Sequence, residues 1–176
     1  ILINVNPIEA TKILIYGAFG YEEGIGYTLY YTTNFIFTGL AVAVAFHAGL
    51  FNIGGEGQAY IGGLGTALVA LYIDPTLSAW LIIPLGIFGG LLFGAMWAII
   101  PAYLQAYRGS HIVITTIMFN FLASALMVYL LVHVLREMGQ MSPQSKDFPD
   151  SAWIPFVHEV FAGMGIKIAQ SPLNLS

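Results

Sequence analysis

Long apolar runs separated by short polar stretches make up most of this 176-residue chain. The four runs cover residues 34–51, 58–73, 79–104 and 112–134. A helix needs about 20 consecutive apolar residues to cross a bilayer, so the third and fourth runs are long enough and the first is close. The second run is short, and it would cross only with help from the residues before it. None of the runs alternates strictly between apolar and polar positions, which favours helices over a membrane β-barrel.

Before the first run, the sequence carries a helix start signal. Asn6 is a capping side chain, Pro7 suits the first helical position, and Glu9 places a carboxylate in the first turn. These residues predict a short helix from Pro7 to about residue 19. The glycines that follow predict a turn over residues 20–26.

After the fourth run, the chain becomes polar and contains several prolines. This pattern predicts one long external loop with a short helix near residues 156–161. Asp74 and Pro75 predict a tight turn between the second and third runs. We therefore expect three parts in order: an external N-terminal segment over 1–33, a bundle of about four transmembrane spans over 34–135, and an external loop over 136–176.

The composition excludes two classes of protein. Hydrophobic residues make up 58% of the chain, charged residues make up 8%, and the mean hydropathy is +0.81. Soluble domains carry about 25% charged residues, and disordered chains need low hydrophobicity and high net charge. We therefore predict an all-α membrane protein, a polytopic helical bundle with a broken or re-entrant helix.

The same counts limit the chemistry of the chain. Nine acids against five bases give a formal charge of −4, with too few bases for a nucleic-acid surface. There is no cysteine, and the four histidines lack the spacing of a metal site. A phosphate-binding loop for ATP and a recognisable nucleophile with its base are also missing. We predict that the chain is not an enzyme and itself binds no metal, cofactor or nucleic acid.

The stretch between the first two runs, residues 51–58 (FNIGGEGQ), carries the strongest candidate chemistry. Its glycines let the backbone leave a helix, and Glu56 is the only acid between the first and second runs. A carboxylate at membrane depth faces protein or a wet cavity, and broken helices present polar groups to solutes in many transporters. Asn52, Glu56 and Gln58 are therefore candidate solute-path residues. The alternative interpretation is an ordinary exposed turn with a solvated Glu56.

Two further patterns have a four-residue spacing. On the fourth run, Thr116 and Asn120 begin a polar stripe that either lines a solute path or forms hydrogen bonds between helices. On the third run, small residues form a ridge that lets another helix approach closely. The predicted packing residues are Gly86, Gly90, Gly94 and Ala98.

Two longer stretches resemble a known family. Residues 39–58 (GLAVAVAFHAGLFNIGGEGQ) and 107–120 (YRGSHIVITTIMFN), with NPIEA at 6–10 before them, are similar to permease subunits of bacterial ABC importers for nucleosides and simple sugars. This permease family includes branched-chain amino acid and ribose permeases. Family members are roughly twice as long, so the resemblance implies an N-terminal half. One departure is Ile112, where the family commonly has glutamate.

The resemblance implies a place for the chain in a larger complex. Two permease subunits would form the solute path in the bacterial cell membrane, cytoplasmic ATPase subunits would bind ATP, and an external solute-binding lipoprotein or periplasmic protein would deliver the solute. It also implies that Arg108 is cytoplasmic and that residues 136–176 are external.

Nucleosides are the predicted solute, ahead of simple sugars and a flavin-type vitamin. Two hypotheses of another class are an ATP-independent channel or carrier and a membrane scaffold that transports nothing.

Overall fold

The computed structural model describes residues 6–74 and 76–175, and over these residues it contains helices and no β-strand. Within that part of the chain there are six α-helices: α1 Pro7–Phe19, α2 Glu22–His47, α3 Gly55–Tyr72, α4 Ala79–Arg108, α5 Ile112–Leu130 and α6 Val157–Gly163. A π-helical turn, Leu131–Leu135, continues α5, and Asp150–Ala152 form a 3-10 turn. The predicted all-α fold is confirmed.

Helix α1 follows the start signal read from the sequence. The Asn6 side chain accepts a hydrogen bond from the backbone N–H of Ile8 at 3.0 Å, and Pro7 is the first helical residue. Because the first N–H groups of a helix have no partner within it, the Asn6 oxygen satisfies one of them. The helix runs from Pro7 to Phe19, as predicted.

The predicted glycine-rich turn over residues 20–26 is wrong in extent. Only Gly20 and Tyr21 separate the two helices, and α2 already includes Gly24 and Gly26, both buried. A Cβ on Gly24 would contact the carbonyl oxygen of Gly17. The missing side chain thus lets the backbones of α1 and α2 meet, and this contact outweighs the low helix propensity of glycine.

Three of the described helices are long and apolar enough to cross a membrane: α2, α4, and α5 with its π-helical turn. Helix α3 is not among them, in line with the shortness of the second apolar run. The prediction of about four spans therefore depends on α3 and stays a prediction.

The chain divides into two compact units. One comprises Leu40–Trp153 and holds α3, α4 and α5; the other comprises the described residues of Ile1–Gly39 and Ile154–Ser176. In the first unit, α4 begins at the capping side chain of Ser78 and ends at Gly109, whose φ of 66° is left-handed. The few fully buried large side chains of this unit include Ile82 and Thr116.

In the other unit, the C-terminal segment folds back on itself and on the start of α2. The backbone N–H of Val157 donates to the carbonyl oxygen of Leu173 at 2.9 Å, and that of Ala169 donates to the Glu22 carboxylate at 3.2 Å. Helix α6 is the short helix predicted near residues 156–161.

The predicted turn between the second and third runs lies between α3 and α4. The Asp74 carboxylate accepts hydrogen bonds from the backbone N–H of Thr76 at 2.9 Å and from its hydroxyl at 2.7 Å. Pro75, the other residue of that prediction, lies outside the described residues.

Candidate functional site

The glycine-rich break lies between α2 and α3. Helix α2 ends in a Schellman motif, in which the N–H of Leu50 donates to Ala45 O and the N–H of Gly49 donates to Phe46 O, each at 3.0 Å. This motif needs the left-handed backbone of Gly49, whose φ is 74°. The chain then runs without helical structure until α3 begins at Gly55.

Asn120 of α5 holds both sides of this break. Its Oδ1 accepts from the backbone N–H of Gly57, and its Nδ2 donates to the carbonyl oxygen of Ile53, each at 2.9 Å. The first N–H groups of a helix have no partner within it, and the Ile53 carbonyl lies before the start of α3. One amide side chain therefore satisfies a donor on one side and an acceptor on the other.

Thr116, one turn earlier on α5, contacts the same segment. It is 1% exposed. Its hydroxyl accepts from the N–H of Ile53 at 3.3 Å and donates to the carbonyl oxygen of Ile112 in its own helix at 2.8 Å. The structure thus brings the predicted polar stripe against the predicted break, and side chains of α5 bond to both backbone polar groups of Ile53.

The close approach depends on glycine at Gly57. A Cβ there would lie 3.0 Å from Oδ1 and 3.2 Å from Cα of Asn120. These distances are shorter than ordinary carbon contacts of about 3.5–4.0 Å. A Cβ at position 57 would therefore require the facing part of α5 to shift by a few tenths of an ångström.

Polar side chains converge at Gly54. A Cβ on Gly54 would lie 2.9 Å from Asn52 Oδ1, 3.2 Å from Thr116 Cβ and 3.3 Å from Gln58 Nε2. Asn52 Oδ1 also accepts from the N–H of Gly54 at 2.8 Å. The predicted residues Asn52, Gln58 and Thr116 therefore surround one glycine.

Glu56 lies exposed in the first turn of α3. At this end of a helix the backbone dipole favours a negative charge. Asn120 is eight residues into α5, or about 12 Å along it at the α-helical rise, so the break lies alongside a membrane-length helix and not beyond its end. The part of Glu56 in a solute path stays a prediction.

The predicted glycine ridge of α4 faces α3. A Cβ on Gly86 would lie 3.5 Å from the Thr66 methyl, one on Gly90 would lie 3.4 Å from Gly62 O, and one on Gly94 would lie 3.4 Å from Gln58 O. The Thr66 hydroxyl donates to Gly86 O at 3.0 Å. Ala98 continues the ridge and is half-buried.

The tightest contact of this interface was not predicted. A Cβ on Gly65 would contact Gly89 O, and a Cβ on Gly89 would lie 2.9 Å from Gly65 O. The available signal is the group of glycines at positions 62, 63 and 65 on the short second run, which complements the ridge of the third. For metals, no group of three or more His, Asp or Glu side chains that could hold an ion occurs in residues 6–74 and 76–175.

Comparison with known proteins decides the family. The family described as "Branched-chain amino acid transport system / permease component" matches residues 24–164, which include the break and all of α5. The chain belongs to this permease family. With three helices long enough to cross a bilayer, this family member is a multi-pass membrane protein.

Three curated relatives are similar to this permease-family chain. The glucose ABC transporter permease protein TsgB13 of Haloferax volcanii is 34% identical over 155 residues, which cover 88% of the chain and 40% of the relative. The nucleoside ABC transporter permease protein NupB of Lactococcus lactis subsp. cremoris is 42% identical over 117 residues, covering 66% and 32%. The guanosine ABC transporter permease protein NupP of Bacillus subtilis is 38% identical over 121 residues, covering 69% and 34%.

The chain therefore spans between 32% and 40% of the length of these relatives. No solved structure matches it.

Proposed function

We propose that the chain is part of the transmembrane permease subunit of an ABC importer and forms part of a solute path for nucleosides. The observation that carries this proposal is the glycine-rich break, whose backbone is bonded to Thr116 and Asn120 alongside α5. Irregular backbone is tolerated at membrane depth where it is buried in protein or lines a wet cavity. A break of this kind presents polar groups to a solute that crosses the membrane.

The five predicted residues divide into two roles. Thr116 and Asn120 direct their polar atoms to the backbone of the break, so we assign them to holding its shape and the wall of the path behind it. Asn52, Gln58 and the exposed Glu56 then supply the groups that form transient hydrogen bonds with a hydroxyl-rich solute.

Membership of the family supports three kinds of partner. A second permease subunit completes the path, cytoplasmic ATPase subunits bind ATP and supply the energy, and an external lipoprotein or periplasmic protein delivers the solute. In this arrangement the subunit lies in the bacterial cell membrane with Arg108 cytoplasmic, and it performs no covalent chemistry of its own.

Identity to relatives supports nucleosides as the solute. The relatives named for nucleoside and guanosine are 42% and 38% identical to the chain, against 34% for the one named for glucose. A simple sugar is the second candidate, because the glucose-named relative matches the largest share of the chain.

Uptake by the intact importer tests the proposal. Membranes that contain the full subunit, the ATPase and the binding protein should accumulate labelled guanosine in preference to labelled glucose. An ATPase variant that cannot hydrolyse ATP should abolish uptake; persistence of uptake would establish an ATP-independent carrier instead. Accumulation of glucose alone would show that the solute is a simple sugar and not a nucleoside.

Glu56→Ala tests the role of the break. It should reduce guanosine uptake by about tenfold, equivalent to about 1.4 kcal/mol of barrier height. Glu137→Ala, which removes an exposed acid far along the sequence from the break, is the control. Unchanged uptake at normal subunit abundance would remove Glu56 from the path.

A further inference from the structure

Aromatic and hydroxyl side chains share one face of α2. Because α2 begins at Glu22, residues 22–33 lie inside a helix long enough to cross a membrane and not in an external segment. Tyr27 and Tyr31 are four residues apart, as are Thr28 and Thr32. Residues at this spacing lie on the same helix face.

These side chains line a groove of about 510 Å³. Its aromatic and hydroxyl lining residues are Tyr21, Tyr27, Thr28, Tyr31, Thr32 and Phe35. The groove lies where the Gly24 backbone meets α1 at Gly17. Small-molecule sites commonly have volumes of about 300–1,000 Å³, so the space admits one solute of that size.

The chemistry of the groove is neutral and aromatic. Every residue that lines it is uncharged, and the Tyr27 and Tyr31 side chains are 44% and 54% exposed. The Thr28 hydroxyl donates to Ala18 O at 3.0 Å and the Thr32 hydroxyl donates to Thr28 O at 2.6 Å, which leaves the lone pairs of each oxygen free to accept. Phenol rings stack on flat rings, and hydroxyls bond to sugar hydroxyls.

We propose that this tyrosine–threonine groove is a binding subsite for a neutral nucleoside, formed by residues other than those of the break. An amino acid zwitterion or a phosphorylated nucleotide would bring charges that nothing in the groove compensates. The proposal rests on the proposed function and adds where, on this chain, the base and ribose bind.

Cysteine labelling of the intact importer tests the groove directly. The chain contains no cysteine, so Thr32→Cys introduces a single thiol, and this thiol lies in the groove. Any cysteines elsewhere in the full subunit are replaced first. Thr33→Cys is the matched control, because Thr33 is the same residue type at the same depth and does not line the groove. A charged methanethiosulfonate reagent reacts with the thiolate, which requires contact with water.

We expect Thr32→Cys to react with the reagent. Guanosine at several times its Kd should slow this labelling by about fivefold or more, because most of the groove is then occupied. Leucine should have no effect, and labelling of Thr33→Cys should be unchanged by guanosine. An unreactive Thr32→Cys would show that lipid or another helix covers the groove, and that outcome overturns the proposal. Reactivity without protection by guanosine overturns it as well.

Wild-type uptake of labelled guanosine, measured in parallel, separates this inference from the proposed function. Uptake without protection of Thr32→Cys defeats the groove alone, whereas absence of uptake defeats the nucleoside importer. As a second readout, Tyr27→Ala should lower guanosine uptake more than Tyr27→Phe, which keeps the ring. Equal uptake by both variants and the wild type would contradict a stacking role for Tyr27.

Discussion

Helices α3 and α4 pack in a different way from α2. In the α3–α4 pair, Gly65 and Gly89 bring one backbone against the other, and Thr66 adds a hydrogen bond to Gly86 O. Helix α2 has 26 residues and buries only Gly24 and Gly26.

This difference follows from how helices associate in lipid. Because lipid tails are as apolar as the side chains, close packing and hydrogen bonds between helices hold them together. The α3–α4 pair has small residues on both facing surfaces and so meets that requirement. Large side chains such as Phe37 and Phe46, 69% and 63% exposed, prevent such an approach along most of α2 and suit contact with lipid.

The largest expected effect is at the α3–α4 contact. Gly65→Ala would press a methyl group against Gly89 O and the side chain of Phe93. Overpacking of this kind costs about 1–3 kcal/mol, and here the obstacle is backbone that cannot rotate away. We expect a clear loss of thermal stability of the intact subunit in detergent. Gly63→Ala is the matched control, since a Cβ on Gly63 meets nothing within 4 Å; equal melting temperatures for the two variants would contradict the comparison.

The next effect is at the break, where hydrogen bonds from the Asn120 side chain add to the close approach at Gly57. Asn120→Ala would leave Gly57 N and Ile53 O without the partners that they have now. Interhelical hydrogen bonds in membranes contribute about 0.6 kcal/mol each, so we expect a loss of about 1–2 kcal/mol with faster amide exchange at Gly57. Ser124→Ala, one turn further on α5, is the control. Wild-type exchange at Gly57 in Asn120→Ala would show that the break holds its shape without this side chain.

Local signals in the sequence predicted much of the fold. The cap formed by Asn6 and Pro7 set the start of α1, and the α4 and α5 starts at Ala79 and Ile112 coincide with the starts of apolar runs. The start of α2 was misplaced because glycine and tyrosine reduce apparent hydrophobicity without ending a helix. The start of α2 depends on the contact of Gly24 with Gly17, and the local sequence does not specify this contact.

The candidate site was predictable only in part. Four-residue spacing correctly placed Thr116 and Asn120 on one face of α5, and the glycines correctly placed the break. That these two side chains bond to Ile53 and Gly57 depends on long-range pairing that spacing alone does not specify. The tyrosine–threonine groove was missed, because residues 27–33 were assigned to an external segment.

A smaller effect is expected within the unit that contains α1. The Thr28 hydroxyl links α2 to Ala18 O, so Thr28→Val should destabilise this contact by about 0.6 kcal/mol, the typical strength of an interhelical hydrogen bond in a membrane. The Thr33 hydroxyl bonds within its own helix, to Leu29 O, and Thr33→Val is the control. Protease sensitivity of the α1–α2 connection should rise in Thr28→Val only. If Thr28→Val lowered the melting temperature of the subunit as much as Gly65→Ala does, the contrast between the two regions would be contradicted.

The smallest effect concerns the turn that joins α3 to α4. Hydrogen bonds from the backbone N–H and the hydroxyl of Thr76 lower the pKa of Asp74. A carboxyl whose pKa is lower in the folded protein stabilises it above the unfolded pKa, and this contribution is lost as the pH falls through the folded pKa. Asp74 is fully exposed, so the contribution is small beside that of the glycine contacts.

Asp74→Asn keeps an oxygen that accepts from the Thr76 N–H but removes the charge. The wild type should therefore melt slightly above Asp74→Asn at about pH 7, and the two should converge at an acid pH below the folded pKa of the carboxyl. Asp147→Asn changes the net charge equally at an exposed position in another part of the chain. A difference between wild type and Asp74→Asn that grows in acid would have the wrong sign for this turn. Glycine packing carries no charge, so the loss caused by Gly65→Ala should be the same at both pH values.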